Sequence, residues 1–101
     1  MIRVARNTYK AKKLIKILLE YEDQDNHKII YSIRITGDFF LYPEESLDEL
    51  EMGLRGTRLD KDELKKKIDR SLINSEVFGF DSESMSDAIL GCFTNLHEYK
   101  I

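Results

Sequence analysis

Between Lys28 and Thr36 the chain alternates, with Ile29, Tyr31, Ile33 and Ile35 on one side and Ser32, Arg34 and Thr36 on the other. A period of two marks a strand with one face on a core and the other in water. Upstream, from Lys13 to Glu22, Ile15, Ile17, Leu19 and Tyr21 alternate in the same way. Lys16 and Glu20 mark the second face, but Leu14 and Leu18 interrupt it, which asks for partial cover such as another chain. Only the polar, acidic stretch Asp23 to His27 separates the two runs. That is too short for a parallel crossover, so the spacing predicts an antiparallel hairpin. It also lacks the central glycine of a calcium-binding loop.

A hairpin alone is marginal in water. The next stretch supplies what it needs. Gly37-Asp38 can reverse the chain sharply, and Asp38 to Leu41 can then add a third strand. Adjacent strand residues point to opposite faces, so one of Phe39 and Phe40 is expected in the core and the other on the wetter face. Pro43 suits a first helical turn, with Glu44 and Glu45 at the positive end of the dipole. Leu47, Leu50 and Leu54 form the apolar stripe, and the helix is expected to end between Gly53 and Gly56, where Arg55 complements its negative end. A second helix begins at Asp60, with Glu63 as capping-box partner, Leu59 and Leu64 as a hydrophobic staple, and Leu64, Ile68 and Leu72 facing inward. Its lysines, Lys61, Lys65, Lys66 and Lys67, clothe the solvated side. Asn74 to Asp81 reads as a loop anchored by Val77, Phe78 and Phe80. A third helix, capped by Ser82 or Ser84, carries Met85, Ala88, Ile89, Cys92, Phe93 and Leu96 on one stripe. The predicted fold is α+β: a three-stranded antiparallel meander with about three helices mainly on one face.

The 101 residues are 42% hydrophobic, enough for one domain to own a core without staples. The formal net charge of -3 argues against a general nucleic-acid binder. One cysteine gives no internal disulfide and fits a reducing, cytoplasmic setting. No run approaches the roughly 20 apolar residues of a membrane span, and no apolar stretch follows Arg3 and Arg6 as a secretory signal would need. Residues 1–12 are polar and basic. Arg3, Arg6, Lys10, Lys12, Lys13 and Lys16 all precede the first acid, Glu20. This segment is expected to be an N-terminal arm, either frayed along the surface or presenting positive charge to a partner or anionic ligand.

Chemistry is sparse. The Gly53 to Gly56 region lacks the spacing of a phosphate loop, and no cysteine–histidine set can hold zinc. No nucleophile elbow is present. Cys92 falls on an apolar stripe, and His27 and His97 are isolated. No catalytic residue and no metal ligand is assigned. The residues describe an interaction or regulatory domain, not a complete enzyme.

Thr36-Gly37-Asp38-Phe39-Phe40, then Tyr42-Pro43-Glu44-Glu45 and an acidic, Leu-rich helix, resembles the accessory domain of lipoate–protein ligase. The resemblance runs from about Tyr9 to Cys92. Ala11-Lys12-Lys13-Leu14 stands where that family has a basic turn, usually with glycine. In some organisms the domain is the C-terminal part of the ligase; in others it is a separate small subunit. The resemblance implies a fold similar to iron–sulfur scaffold and sulfur-acceptor proteins. It implies a large catalytic subunit as partner, forming a heterodimer that uses lipoate, ATP and Mg to make lipoyl-AMP. The lipoyl group then passes to a lysine of an acceptor domain, in the 2-oxoacid dehydrogenase E2 component or the glycine cleavage H protein. Lys12, Lys13, Gly37, Asp38, Phe39 and Phe40 are the expected contacts with the partner and its active site. No cofactor is expected on this chain alone. Two other classes stand beside this one. An iron–sulfur scaffold or sulfur acceptor needs exposed cysteines, and a small anion- or RNA-binding module would use the basic N-terminus.

Overall fold

The computed structural model describes residues 1–98, with side chains as far as Phe93; Leu96 and His97 lie outside the described side chains. Three strands, β1 (Ile2–Lys10), β2 (Leu14–Gln24) and β3 (His27–Gly37), form an antiparallel sheet in the order β1-β2-β3. The hairpin between β2 and β3 turns on Asp25 and Asn26, both at positive φ (49° and 69°). That is the primed two-residue turn whose twist matches the strands it joins. A meander of three strands is therefore present, but its members differ from those expected.

The basic segment 1–12 is not a surface arm. It is mostly β1, paired with β2 from Ile2 opposite Glu22 to Lys10 opposite Leu14. Ala5 and Asn7 are buried and Tyr9 is partly buried, while Arg6, Thr8 and Lys10 face out. The strand reads as polar because its inward residues are small or polar. Asn7 solves its own burial in part: its Nδ2 donates to the Ala88 carbonyl at 2.8 Å.

The expected third strand does not join this sheet. β4 (Phe40–Tyr42) pairs antiparallel with β5 (Glu76–Phe78) in a separate two-stranded ribbon. The free edge of β3 is already in use. Ile30 N–H donates to the Thr57 carbonyl at 2.9 Å, and Leu59 N–H donates to the Lys28 carbonyl at 2.8 Å. A Glu51 carboxylate oxygen accepts from Ile35 N–H at 2.7 Å. With those groups engaged, a further strand would have to displace the 56–59 loop and Glu51 to pair along this edge.

The alternation in β3 also breaks. Glu20 pairs with Ser32 but Tyr21 pairs with Ile30, so Tyr31 is the extra residue of a β-bulge. Ile33 and Ile35 point into the core as expected, whereas Ile30 is buried in place of Tyr31, which is exposed, and Ile29 is only partly covered.

Three helices cover one face of the sheet. α1 (Ser46–Leu54) packs on β3, α3 (Ser82–Glu98) packs on β1 and β2, and α2 (Lys61–Ser71) lies between them. Leu50, Leu54, Leu64, Ile68, Met85, Ile89 and Cys92 meet Ile15, Leu19 and Ile35 with no solvent exposure. Each such aliphatic side chain contributes about 1.5–3 kcal/mol by leaving water. α1 begins later than Pro43. The Pro43 carbonyl accepts from Ser46 N–H in a preceding turn, and Asp48 and Glu49 occupy the first helical turn. α2 starts as expected, with the Asp60 carboxylate accepting from Glu63 N–H at 3.2 Å. α3 is capped by Asp81, not by Ser82 or Ser84. Its carboxylate accepts from Ser84 N–H at 2.7 Å, and the Ser84 hydroxyl accepts from Asp81 N–H at 3.0 Å. Lys61 bridges Glu83 and Asp87 of α3, and Lys65 also reaches Glu83, which ties α2 to α3. Among the described residues, no helix is long and apolar enough to cross a membrane.

Candidate functional site

Three chain reversals meet at one end of the sheet. The first joins β1 to β2 through Ala11, Lys12 and Lys13, with Ala11 N–H donating to the Lys13 carbonyl at 3.1 Å. The second follows β3 at Gly37 and Asp38. Asp38 N–H donates to the Leu14 carbonyl at 3.0 Å, which holds the second turn against the first. The third lies between β5 and α3, where the Gly79 carbonyl accepts from Lys13 N–H at 3.3 Å.

Gly37 is required by this arrangement twice over. Its φ is +149°, and a Cβ there would stand 2.1 Å from the Leu14 carbonyl oxygen. The approach of the two turns is a backbone-to-backbone contact that only glycine permits.

Phe39 and Phe40 divide as their adjacency demands. Phe39 is partly buried against the core, edge-on to the buried Phe80 at 5.2 Å between ring centroids. Phe40 is 60% exposed and faces away. Its partner in the ribbon is Phe78, equally exposed, with ring centroids 6.5 Å apart. Tyr42 lies two residues along the same side of β4 and is 58% exposed. The three rings make an aromatic patch on the outer side of the ribbon, while Leu41 and Val77 pack inward.

All six residues singled out in the sequence are thus brought to one end. Lys12, Lys13 and Asp38 are exposed there, beside the Phe40 patch. Tyr42 and Phe78 complete the patch, and sequence reasoning misses both as contacts. Phe78, expected to anchor a loop, is instead exposed on β5. The signal that could have found it is the short β-prone run Val77-Phe78 closed by Gly79; in the structure its strand has the same exposed–covered–exposed pattern as β4.

A groove beside the patch is lined by Lys12, Phe78, Asp81 and Ser84. The Ser84 backbone N–H and hydroxyl hold the Asp81 carboxyl below the usual range. The chemistry at this end is that of contact: cations, a carboxylate and flat apolar rings. Among the described residues, no group of three or more His, Cys, Asp or Glu is placed to hold a metal ion. Cys92 is fully buried at α3, and desolvation pushes its thiol up to about 12. A sulfur acceptor works through an accessible thiolate, which this position denies.

A family model described as the bacterial lipoate protein ligase C-terminus matches residues 8–89. Lipoate-protein ligase A subunit 2 of Thermoplasma acidophilum is 46% identical over 54 residues, covering 52% of this chain and 53% of that protein. The match thus spans about half the length of that relative. A solved chain from the archaeal lipoylation system of Thermoplasma acidophilum, a bipartite lipoate protein ligase and its E2 lipoyl domain, superposes with a TM-score of 0.70. It is 30% identical, and the alignment covers 87% of this chain and 96% of that one.

Proposed function

The chain belongs to the lipoate protein ligase C-terminal family, and on that premise we propose that it is the small accessory subunit of a two-part ligase. Its partner is the large catalytic subunit, which carries the lipoate pocket and the nucleotide site. The pair uses lipoate, ATP and Mg to form lipoyl-AMP and pyrophosphate. A lysine of an acceptor domain, in the 2-oxoacid dehydrogenase E2 component or the glycine cleavage H protein, then takes the lipoyl group and releases AMP.

The observation that carries this reading is the convergence of the Lys12-Lys13 turn, the Gly37-Asp38 turn and the Phe40–Tyr42–Phe78 patch. Aromatic rings with cations at their margin are the composition of a stable protein interface. The turns are braced by Leu14 and Gly79, so they can present a fixed shape to a partner. Adenylation must align a carboxylate with the α-phosphate and stabilise charge developing on pyrophosphate. In this proposal the chain serves that step by docking at its aromatic end and ordering the large subunit's nucleotide site. The metal stays with the nucleotide on the large subunit. A single buried cysteine suits a reducing compartment, and the proposal places the pair in the cytoplasm.

Isothermal titration against the purified large subunit tests the assignment. A one-to-one complex is expected, with no heat from ATP or lipoate added to this chain alone. Micromolar binding of both small molecules to the isolated chain would overturn it.

A further inference from the structure

The sheet face opposite the helices is open, and its rows toward the aromatic end are basic; the row on the other side is Val4, Glu20 and Ser32, where the Ser32 hydroxyl donates to the Glu20 carboxylate. In register across the three strands, Arg6 lies opposite Leu18, and Leu18 lies opposite Arg34. The next row toward the aromatic end is Thr8, Lys16 and Thr36. Arg6, Lys16 and Arg34 are exposed, and Leu18 sits between the two arginines at 37% exposure. None of these three cations is in an ion pair among the described residues. Two strand spacings put the arginines roughly 10 Å apart, one on each side of an apolar residue. A chain whose formal net charge is -3 has therefore gathered unpaired positive charge on one flat surface.

A second copy of this chain does not fit there, because two such faces meeting would oppose cation to cation. The partner must be acidic. Resting on the two-subunit reading above, three bodies meet in the reaction: the large subunit, this chain and the acceptor domain. Their contacts make different demands. The large subunit stays bound, and the aromatic patch suits a lasting contact. The acceptor must arrive and leave at every turnover. Exposed charge suits that task, since it speeds encounter and selects orientation without building a slow-dissociating core.

We propose that the Arg6–Leu18–Arg34 face is the docking surface for the acceptor domain, which meets it with an acidic face. Carboxylates pair with the two arginines and an apolar residue covers Leu18. This gives the small subunit a second role, in recognising the protein that is modified, beside its support of activation.

The test compares the wild-type heterodimer with R6E/R34E. A reversal at an exposed α2 position, K66E, controls for charge alone. ATP–pyrophosphate exchange reads activation, and lipoyl transfer at varied acceptor concentration reads docking. For R6E/R34E, kcat/KM for the acceptor is expected to fall about tenfold and to lose most of its salt dependence. Exchange and heterodimer affinity are expected to stay at wild-type level, as is K66E throughout. R6Q/R34Q, which keeps long polar side chains, gives a smaller fall in the same direction. Unchanged kcat/KM for the acceptor, with exchange intact, would overturn the proposal alone. Loss of heterodimer binding in R6E/R34E would overturn it in favour of a large-subunit contact. A wild-type chain that fails to support exchange would remove the accessory-subunit reading and this proposal with it.

Discussion

Replacing Gly37 with alanine puts one methyl group where two turns touch. The Cβ would stand 2.1 Å from the Leu14 carbonyl oxygen, and the backbone there holds φ at +149°. An ordinary carbon–oxygen contact is over about 3 Å, so one turn must move by about 1 Å. Two terms follow. Holding a non-glycine residue in that backbone region costs about 1–3 kcal/mol. Displacing the turn strains or breaks the bond from Asp38 N–H to the Leu14 carbonyl, worth about 1 kcal/mol. The sum is about 3 kcal/mol. For a domain of this size, each kcal/mol lowers Tm by about 4–8 °C, so a fall of about 12–24 °C is expected by thermal melt. Gly56→Ala isolates the backbone term. Gly56 has φ +81° but nothing within 4 Å of the place its methyl would take, so about 1–2 kcal/mol is expected there. A Gly37→Ala protein that melts with wild type, or no lower than Gly56→Ala, would refute the close approach of the two turns.

Phe39→Ala should lower stability by about 2–4 kcal/mol, because it unpacks Phe80. Phe40→Ala should spare the melt and weaken large-subunit binding by about 1 kcal/mol or more; equal melts and equal affinities for the two variants would show the faces are misassigned. Asp81→Ala should cost about 1 kcal/mol through loss of the α3 cap. Because the Asp81 pKa is lowered in the folded chain, that contribution is present above its unfolded pKa and fades as pH falls through the lowered folded value; denaturant midpoints at neutral and acidic pH read the difference. Cys92 should resist thiol reagents in the native chain at about pH 8 and react on denaturation. Its raised pKa also means that stability declines as pH climbs above the ordinary thiol value of 9.0 toward about 12.

Much of the fold is legible in the sequence because the residues carry it locally. The hairpin, the Asp60 cap and the α3 stripe through Met85, Ala88, Ile89 and Cys92 each follow from periodicity and capping chemistry. What is not legible depends on distant pairing. β1 has Ala5 and Asn7 as its inward residues, so no apolar alternation announces it; its place is fixed by β2 and by the Asn7 bond to Ala88. The third sheet strand escapes a local reading because Glu51 and the 56–59 loop close the edge of β3, contacts that no local pattern encodes. Tyr31 reads as a core residue because a bulge leaves no mark in the alternation that precedes it. At the site, Gly37-Asp38 and Phe39-Phe40 are legible from turn chemistry and strand geometry. Phe78 and Gly79 are not, since Phe78 reaches the site by pairing with Phe40 and Gly79 by its bond to Lys13, partners far apart along the chain.

A two-tube experiment tests most directly whether this chain is required for activation and dispensable for the chemistry of transfer. The large subunit is mixed with apo acceptor domain and given either lipoate with ATP or preformed lipoyl-AMP. Without this chain, the first mixture is expected to yield no lipoylated acceptor, and the second to yield it, slowed only by the loss of the Arg6–Leu18–Arg34 docking face. Adding the chain should restore the first mixture. Equal failure of both mixtures without the chain would place its role in transfer or in folding of the large subunit. Equal success of both would leave it no part in catalysis.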